Sequence, residues 1–484
     1  AKEIDPLKIA LEIMPKNGPP SYMRLKVEIR KRIEALLDKV VGFSEEKSGR
    51  IDERWYWAAP ALLDAYYHAD EINSWFSSKD NGFRWEEIIK PRGELDKETL
   101  FRQHVLCFKE IFNKPENHEL GRRPRDLVDI LTKQALASPA VVALRSLLRL
   151  RSDRNSVSIA PVLQSAASIA AGFRVLYNLP ESITLIRSIN DKEPYWERVL
   201  EYGISGNLQS VMDEYVHILK ESLGLIDHPY EEEVMLIAKA VYSAVSIRTV
   251  NLDFDDVEVT PRLWKVKLNK CSIRCRYALR LGEGKSEGDE EVTRSDQVRA
   301  SFNSPFRPFL LATTSIGQEG LDFHQYCHSI YHWNLPSNPV DLEQREGRIH
   351  RYKGLVIRRN LAKHFGLDKL KENYRDFGKK INDPWDFLFS KGVDIRKKNE
   401  DDIVPFWIFE TKNGLKIDRN IPCMPMSRDI ERLRDLKRTL VMYRMVFGQP
   451  RQEDLIEFLK KVDDEEGKGI LKEIQNFRID LSPK

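Results

Sequence analysis

The chain has almost no net charge, few cysteines and no long apolar run, and each absence excludes a class of protein. Over 484 residues the formal net charge is +3, so composition gives no global sign of a nucleic-acid partner and any basic surface has to be local. The five cysteines are odd in number and scattered, which favours free thiols in a reducing compartment over a disulfide framework. No apolar run approaches the length of a membrane span, and no signal-peptide pattern is present. We therefore expect a cytoplasmic protein without a membrane partner.

A P-loop and an acidic magnesium motif are also missing. Gly284-Lys285-Ser286 imitates the end of a P-loop, but Leu279 stands where the first glycine of that motif is required. Asp213-Glu214 imitates an acidic magnesium motif, which should end an apolar strand, whereas Leu208–Leu223 is patterned as a helix. We expect a structural role for both carboxylates.

A metal site is not expected either. His324, Cys327, His328 and His332 resemble a ligand set, but their order matches no zinc spacing rule and no second pair supports them.

The most informative stretch runs from Pro308 to Gly354. It opens with an apolar run, Phe309–Ala312, which passes into small hydroxylated residues and then into Gly317 and Gly320. This pattern predicts a buried strand whose C-terminal end opens into a loop that approaches a phosphate or a sugar. Glycine suits such a loop because backbone N–H groups can approach an anion without a Cβ in the way.

The same stretch closes with a predicted helix. Asn338 is a good N-cap, Pro339 fits the first helical position, and Asp341 places negative charge in the first turn. Gln344, Arg348 and Arg351 then follow at i, i+4 and i+7, so the spacing predicts one face with an amide and two guanidiniums. Such a face needs an anion or water opposite it, and phosphoryl transfer is the reaction that most needs an arginine clamp.

These residues carry a family resemblance. The run Gln344-Arg345-Glu346-Gly347-Arg348-Ile349-His350-Arg351 resembles motif VI of superfamily 2 helicases, and Thr313–Asp322 resembles their motif V. The His-Arg ending and the approach from Trp333 to Asp341 are similar to the Swi/Snf branch, most of all to its bacterial RapA-like members.

The resemblance implies roles for individual residues. Arg348 and Arg351 would be arginine fingers that reach ATP in the cleft between two RecA-like lobes, with Gln344 beside the nucleotide. Gly320 and Asp322 would meet the ribose and couple the lobes, and Thr313 or Thr314 would touch the nucleic-acid backbone. Two readings stay open, since Asp322 could cap the following turn and both threonines could be ordinary strand-end residues.

The rest of the chain predicts an α/β protein with a large helical part. We expect a helical region over 1–150, a helical insertion over 151–245, a RecA-like C-terminal lobe with a parallel sheet over 246–365, and a basic, mainly helical extension over 366–484. Motif IV cannot be placed. Predicted helices are Met23–Val41, Trp55–Tyr67, Trp85–Lys90, Leu100–Asn113, Pro139–Leu150, Ile159–Tyr177, Ile183–Ile189, Tyr195–Tyr202, Leu208–Leu223, Glu231–Val245, Arg294–Phe302, Arg428–Val446 and Gln452–Lys461. Predicted strands are Ser246–Phe254, Ser272–Leu281 and Val404–Phe409.

The chain is basic after Gly354, beginning with Arg358 and Arg359. Acids are interspersed, so a solvated helical face is one reading. A phosphate contact is the other, because superfamily 2 enzymes hold nucleic acid in this region.

Two functions follow as hypotheses. The first is the C-terminal half of an ATP-dependent translocase or helicase that acts on nucleic acid, with double-stranded DNA favoured by the Swi/Snf resemblance. Mg²⁺ and part of the ATP site would then belong to a missing N-terminal RecA-like lobe of the same protein, and this chain alone should not hydrolyse ATP. The second is a non-catalytic module that binds nucleic acid or protein through a degenerate helicase lobe.

Overall fold

The computed structural model is mostly helical in the parts of the chain that it describes. These are residues 3–14, 20–41, 49–77, 100–114, 120–150, 158–189, 193–247, 250–260, 265–275, 296–313, 322–375, 384–399 and 403–445, and positions 454, 455, 457, 458 and 461. The predicted helix Trp85–Lys90 lies outside the described residues, as does most of the predicted helix Gln452–Lys461.

The described residues of the N-terminal part are mostly helical. The helices are α1 (Pro6–Glu12), α2 (Tyr22–Val41), α3 (Trp55–Tyr67), α4 (Ala69–Ser77), α5 (Leu100–Asn113), α6 (Leu127–Ala137), α7 (Pro139–Arg149), α8 (Ala160–Tyr177), α9 (Pro180–Arg187), α10 (Tyr195–Ser205), α11 (Leu208–Ser222) and α12 (Tyr230–Val245). We call α1 to α12 the helical body. Among the described helices none is by itself long and apolar enough to cross a membrane, and only the bent pair α6–α7 meets that criterion by length and composition.

Local chemistry explains several helix boundaries. The Asp5 side chain accepts a hydrogen bond of 3.0 Å from the backbone N–H of Leu7 at the start of α1, where Pro6 is the first helical residue. Pro139 likewise begins α7, and Ser138 before it is extended, as a residue preceding proline prefers. Most predicted helices agree with the structure to within a few residues, whereas α1, α4 and α6 were not predicted.

Two apolar cores hold the helical body together. One is formed by α1, α2, α3, α5 and α6 around the fully buried Trp55. The other is formed by α7, α8, α11 and α12 around Phe173 and Tyr215. Gly172 lets α8 and α12 approach closely, because a Cβ at this position would lie 2.7 Å from a methyl group of Val245.

A long antiparallel ribbon follows the helical body. It consists of β1 (Val250–Thr260) and β2 (Lys265–Cys275), paired from Val250 opposite Cys275 to Thr260 opposite Lys265. Strands β1 and β2 overlap the two strands predicted in this region, and residues 248–249 and 276–281 of those predictions lie outside the described residues.

The rest of the described chain combines helices with a small parallel sheet. A short helical stretch covers 296–302, and the elements after it are β3 (Ser329–Tyr331), α13 (Pro339–Gly347), α14 (Leu355–Arg375), α15 (Pro384–Asn399), β4 (Asp418–Asn420) and α16 (Asp429–Met445). Strand β3 pairs in parallel with β4, with Ser329 opposite Asp418. Helix α14 is interrupted at Gly366, whose φ of 61° lies in the left-handed region.

Two predicted strands are wrong. Residues 309–312 form no strand, and the side chains of Phe309 and Leu310 are 77% exposed rather than buried. The segment Val404–Phe409 is a turn, in which the N–H of Trp407 donates to the carbonyl of Ile403. The predicted domain boundaries at 150, 245 and 365 stay predictions.

Aromatic packing joins the helical body to the segment that follows the ribbon. The Phe306 ring lies edge-on to the Phe173 ring, with the centroids 5.0 Å apart, and 6.0 Å from the Tyr215 ring. Tyr326 also packs against this core. Phe306, just before the informative stretch, and Tyr326, within it, are therefore anchored in the core formed by α7, α8, α11 and α12.

We predict that Phe306→Ala lowers the free energy of unfolding by about 3 kcal/mol, because it leaves a cavity in a shared aromatic cluster. Urea denaturation of the full chain, followed by circular dichroism, measures the change. Phe309→Ala is the matched control: it removes the same ring from an exposed position and should change stability by less than about 0.5 kcal/mol. Equal losses in the two variants would contradict the anchoring role of Phe306.

Candidate functional site

Main-chain hydrogen bonds join the two halves of the informative stretch. The N–H of Phe323 donates to the carbonyl of Arg348 at 2.8 Å, and the N–H of Leu355 donates to the carbonyl of His324 at 3.0 Å. The end of the motif V segment is thereby fixed against the end of the motif VI segment. We call these two bonds the backbone joint.

Helix α13 begins as the sequence predicts. The Asn338 side chain accepts a hydrogen bond of 2.9 Å from the N–H of Val340, Pro339 is the first helical residue, and Asp341 lies in the first turn. The start of α13 was therefore predictable from local rules.

The end of α13 differs from the prediction. The helix stops at Gly347, and the N–H groups of Ile349 and His350 both donate to the carbonyl of Glu346 at 3.1 Å. Arg348 is thus the C-terminal cap of α13 and Arg351 lies beyond the helix, so Gln344, Arg348 and Arg351 do not share one helical face. Glycine near the end of the motif favours this early stop because it is a poor helix former.

The two arginines nevertheless converge, on the carboxylate of Asp322. The Arg351 Nη2 atom lies 3.0 Å from Asp322 Oδ1, and the Arg348 Nη1 atom lies 4.0 Å from the same oxygen. The side chains are 17% exposed for Arg348, 40% for Arg351 and 50% for Asp322. The turn after α13 thus gathers two positive charges and one negative charge at an accessible rim.

This arrangement suits an anionic ligand. Guanidinium groups present planar forks of N–H donors that match the oxygens of phosphate groups. The half-exposed pair with Asp322 is of the kind that solvent screens strongly, so its carboxylate can be exchanged for another anion. The arginines therefore fit the oxygens of a polyphosphate chain.

His324 lies next to this cluster and is a neutral neighbour. Burial lowers the pKa of His324, Asp322 opposes that shift, and the positive charges of Arg358 and Arg351 add to it. Its buried Nδ1 atom has no hydrogen-bond partner among the residues that the structure describes.

Glu346 links α13 to the C-terminal part of the chain. Its carboxylate lies 2.7 Å from Arg419 on β4 and 3.6 Å from the buried Nε2 atom of His332 next to β3. A negative charge in the last turn of a helix opposes the helix dipole. That unfavourable position was the only signal in the sequence that a cation lies nearby, and it did not identify Arg419.

The segment 403–409 also contacts the turn that carries the arginines. The Nε2 atom of His350 lies 3.1 Å from the carbonyl oxygen of Trp407, and the N–H of Lys353 donates to the carbonyl of Phe406 at 3.0 Å. The Tyr352 and Phe406 rings stack with centroids 5.6 Å apart. None of these contacts was predicted.

Two ion pairs fix the other side of the turn to helix α11. The buried Arg358 guanidinium lies 3.3 Å from Glu214 and donates to the carbonyl oxygens of Lys353 and Gln325. The Lys353 ammonium lies 2.7 Å from Glu221. Asp213 and Glu214 both have structural partners, as expected, since Asp213 accepts from Ser146 at 2.7 Å and pairs with Arg149.

The position of Arg358 corrects one prediction. Its side chain is 4% exposed and its donors are engaged inside the protein. A phosphate contact would require the guanidinium to leave these partners, so the predicted nucleic-acid role of Arg358 does not fit the structure.

The remaining predicted site residues are exposed or lie outside the described residues. Gln344, Thr313 and Arg359 are exposed. Thr314 and Gly320 lie outside the described residues. The roles of all five stay predictions.

The four residues that resembled a metal set contact different partners. His332 faces Glu346, His328 lies 3.8 Å from Asp418, and Cys327 donates to the carbonyl of Ser329. His324 lies beside the arginine cluster.

Comparison with known proteins identifies part of this region. The family model described as the helicase conserved C-terminal domain matches residues 284–353, which include both motif segments. No curated protein and no solved structure matches the chain. The resemblance is therefore confirmed at the level of a helicase C-terminal domain, whereas the Swi/Snf and RapA-like subtype stays a prediction.

We predict a loss of stability at acidic pH that depends on His324. A histidine whose pKa is lowered by folding contributes stability that is present above its unfolded pKa of about 6.5 and is lost as the pH falls through the folded value. The free energy of unfolding should therefore fall more steeply between about pH 7.5 and about pH 5 in the parent than in His324→Gln.

Urea titrations at each pH measure this slope. The control is His364→Gln, which changes an exposed histidine on α14 and should keep the slope of the parent. Equal slopes in the parent and His324→Gln would show that His324 does not resist protonation.

Proposed function

We propose that this chain is the C-terminal half of an ATP-dependent translocase or helicase that acts on nucleic acid, and that it contains a RecA-like second lobe. The observation that carries the proposal is the convergence of Arg348 and Arg351 at an accessible rim inside the match to the helicase C-terminal domain. The two side chains reach this rim from a turn held on both sides by other parts of the fold. Such preorganised charge is what phosphoryl transfer requires.

In this proposal Arg348 and Arg351 are the catalytic residues. They contact the terminal phosphate of ATP and stabilise the charge that spreads over it as the bond to the leaving group breaks. Gln344 lies beside the nucleotide, and Gly320 and Asp322 meet the ribose. Mg²⁺, held by the other lobe, neutralises charge on the phosphates.

The chain alone does not hydrolyse ATP in this proposal. Its sequence has no P-loop and no acidic magnesium motif, so the lysine, the magnesium ligands and the positioned water come from a first lobe. We place that lobe in the same protein.

In this proposal the translocase moves along nucleic acid. The Swi/Snf resemblance favours double-stranded DNA as that substrate. Exposed basic side chains support a binding surface at the first half of α14, where Arg359 and Lys363 lie one turn apart. Lys412 and Lys416 add to it, because Asn360 holds their turn against α14 through hydrogen bonds of 2.7 and 3.0 Å with Leu415. Thr313 and Thr314 provide further backbone contacts.

A second candidate function is a non-catalytic module that binds nucleic acid or protein through a degenerate lobe. The specific observation in its favour is the small sheet of two strands of three residues, together with the missing strand at 309–312. The two candidates differ in whether the arginine pair takes part in ATP turnover.

We predict that Arg348→Ala and Arg351→Ala each lower kcat for ATP by on the order of a thousandfold, because each removes a charge that stabilises the transition state. The measurement is steady-state ATP hydrolysis, with and without duplex DNA, in a polypeptide that joins this chain to its P-loop lobe. Arg345→Ala is the matched control within the same motif. Its guanidinium donates to the carbonyl of Asn334 at 2.8 Å, so kcat should change little.

Parent-like turnover in both arginine variants would refute the arginine-finger assignment. Absence of any DNA-stimulated turnover in the parent would favour the non-catalytic module.

We predict that Arg359→Ala weakens binding of duplex DNA and reduces the slope of log Kd against log salt by about one, as expected for a single lost phosphate contact. Fluorescence anisotropy of labelled DNA with the full chain at several salt concentrations measures both quantities. Arg24→Ala removes an exposed arginine from α2 and should leave both unchanged. An equal effect of the two substitutions would mean that only net charge matters.

A further inference from the structure

Asp322 is the carboxylate on which both proposed arginine fingers converge. One of its oxygens, Oδ1, lies 3.0 Å from Arg351 and 4.0 Å from Arg348. A phosphate oxygen bound by the same two arginines would have to occupy this position. The carboxylate and the phosphate therefore compete for the arginine pair.

We propose that Asp322 is an internal competitor that occupies Arg348 and Arg351 until a polyphosphate displaces it. The inference rests on the proposed function and deepens it, because it gives Asp322 a second position in addition to the ribose contact. In the ligand-free protein the carboxylate pairs with the arginines, and in the nucleotide complex it turns to the ribose hydroxyls.

The geometry of the contact between Asp322 and the two arginines allows a phosphate to replace the carboxylate. Both arginines make their closest approach to Asp322 at Oδ1, and the 4.0 Å separation of Arg348 is too long for the short hydrogen bonds that make arginine–carboxylate contacts strong. The Arg351 side chain is 40% exposed, so a ligand can reach its guanidinium from the solvent side. With Asp322 half exposed, water can take over the carboxylate as it leaves.

The main chain keeps Asp322 near the arginines whether or not its side chain is paired. The carbonyl of Asp322 accepts a hydrogen bond of 2.7 Å from the Asn303 side chain, and the adjacent Phe323 N–H donates to Arg348. Only a side-chain rotation is therefore needed for the exchange. Because the competing carboxylate is tethered, it acts at high effective concentration. It therefore lowers the affinity of the arginine pair for every free anion by the same factor.

This competition has a consequence for the cycle. Phosphate and other free anions that bind the arginines weakly do not occupy them, because the carboxylate already does. A triphosphate gripped by the first lobe is presented at high effective concentration and displaces Asp322. Arginine engagement thus depends on nucleotide bound at the opposite face.

The test uses the full chain and two probes, inorganic tripolyphosphate and ATP, titrated by isothermal calorimetry. Asp322→Asn should bind tripolyphosphate about three- to tenfold more tightly than the parent, because it removes the charge that competes for the arginines. The affinity for ATP should rise less than the affinity for tripolyphosphate, because Asp322→Asn also removes the carboxylate that accepts hydrogen bonds from the ribose hydroxyls. Damage to the fold would weaken tripolyphosphate binding. A rise in affinity therefore indicates that Asp322 competes for the arginines and does not reflect a loss of structure.

Two controls decide between the outcomes. Asp418→Asn removes one negative charge from β4, where the carboxylate faces His328, and should leave both affinities unchanged. Adding Arg351→Ala to Asp322→Asn should abolish the gain.

If Arg351→Ala weakens tripolyphosphate binding but Asp322→Asn binds no more tightly than the parent or than Asp418→Asn, the competitor role is overturned and the proposed function stands. If neither the parent nor Asp322→Asn binds tripolyphosphate, the competitor role is likewise overturned. The proposed function fails instead if Arg348→Ala and Arg351→Ala hydrolyse ATP at the parent rate in the polypeptide that carries the first lobe.

Discussion

The backbone joint between residues 323–324 and residues 348–355 is the constraint from which the geometry of the site follows. Each of its two hydrogen bonds pairs main-chain groups that would otherwise be costly to bury. Because side chains take no part in it, the joint tolerates substitution of the charged residues around it. It brings Asp322 within reach of Arg348 and Arg351 although the sequence separates them by a loop, a strand and a helix. The convergence of charge is therefore a property of the main-chain path.

The turn that carries the arginines is held from both sides by parts of the chain outside the family match. The helical body contributes Glu214 and Glu221, and the C-terminal part contributes Arg419 and the turn around Trp407. Buried ion pairs such as that of Arg358 add little net stability, because desolvation offsets much of the attraction. Their effect is to exclude other arrangements of the turn. The matched segment is thus a middle layer whose orientation depends on its neighbours.

Local rules predicted the elements whose causes are local. Asn338, Pro339 and Asp341 specify the start of α13 within a few residues of chain, and apolar spacing predicted most helices of the helical body. The apolar run Phe309–Ala312 failed as a strand because strand formation depends on neighbouring strands and on burial, which no window of sequence contains. The arginines were expected together on a continuous helix, and they meet instead through a turn.

The errors at the site have a common cause in sequence distance. Arg358 was read as a surface cation because its partner, Glu214, lies 144 residues earlier in the chain. Arg419 was read only as part of a charged extension, although it neutralises the Glu346 carboxylate at the end of α13. Pairing of this kind is set by topology, and a single sequence does not specify it.

Charge balance explains why the rim can accept an anion at all. The ion pairs with the helical body neutralise their own cations, and at the rim the carboxylate of Asp322 faces both Arg348 and Arg351. Burial lowers the pKa of His324, Asp322 opposes this shift, and the positive charges of Arg358 and Arg351 add to it, because an imidazolium would meet further positive charge. A bound polyphosphate would reverse that balance by bringing more negative charge than Asp322 supplies. A cluster of two guanidiniums and one carboxylate therefore favours an anion. The contacts with the helical body and with β4 determine the position of the turn that would bind it.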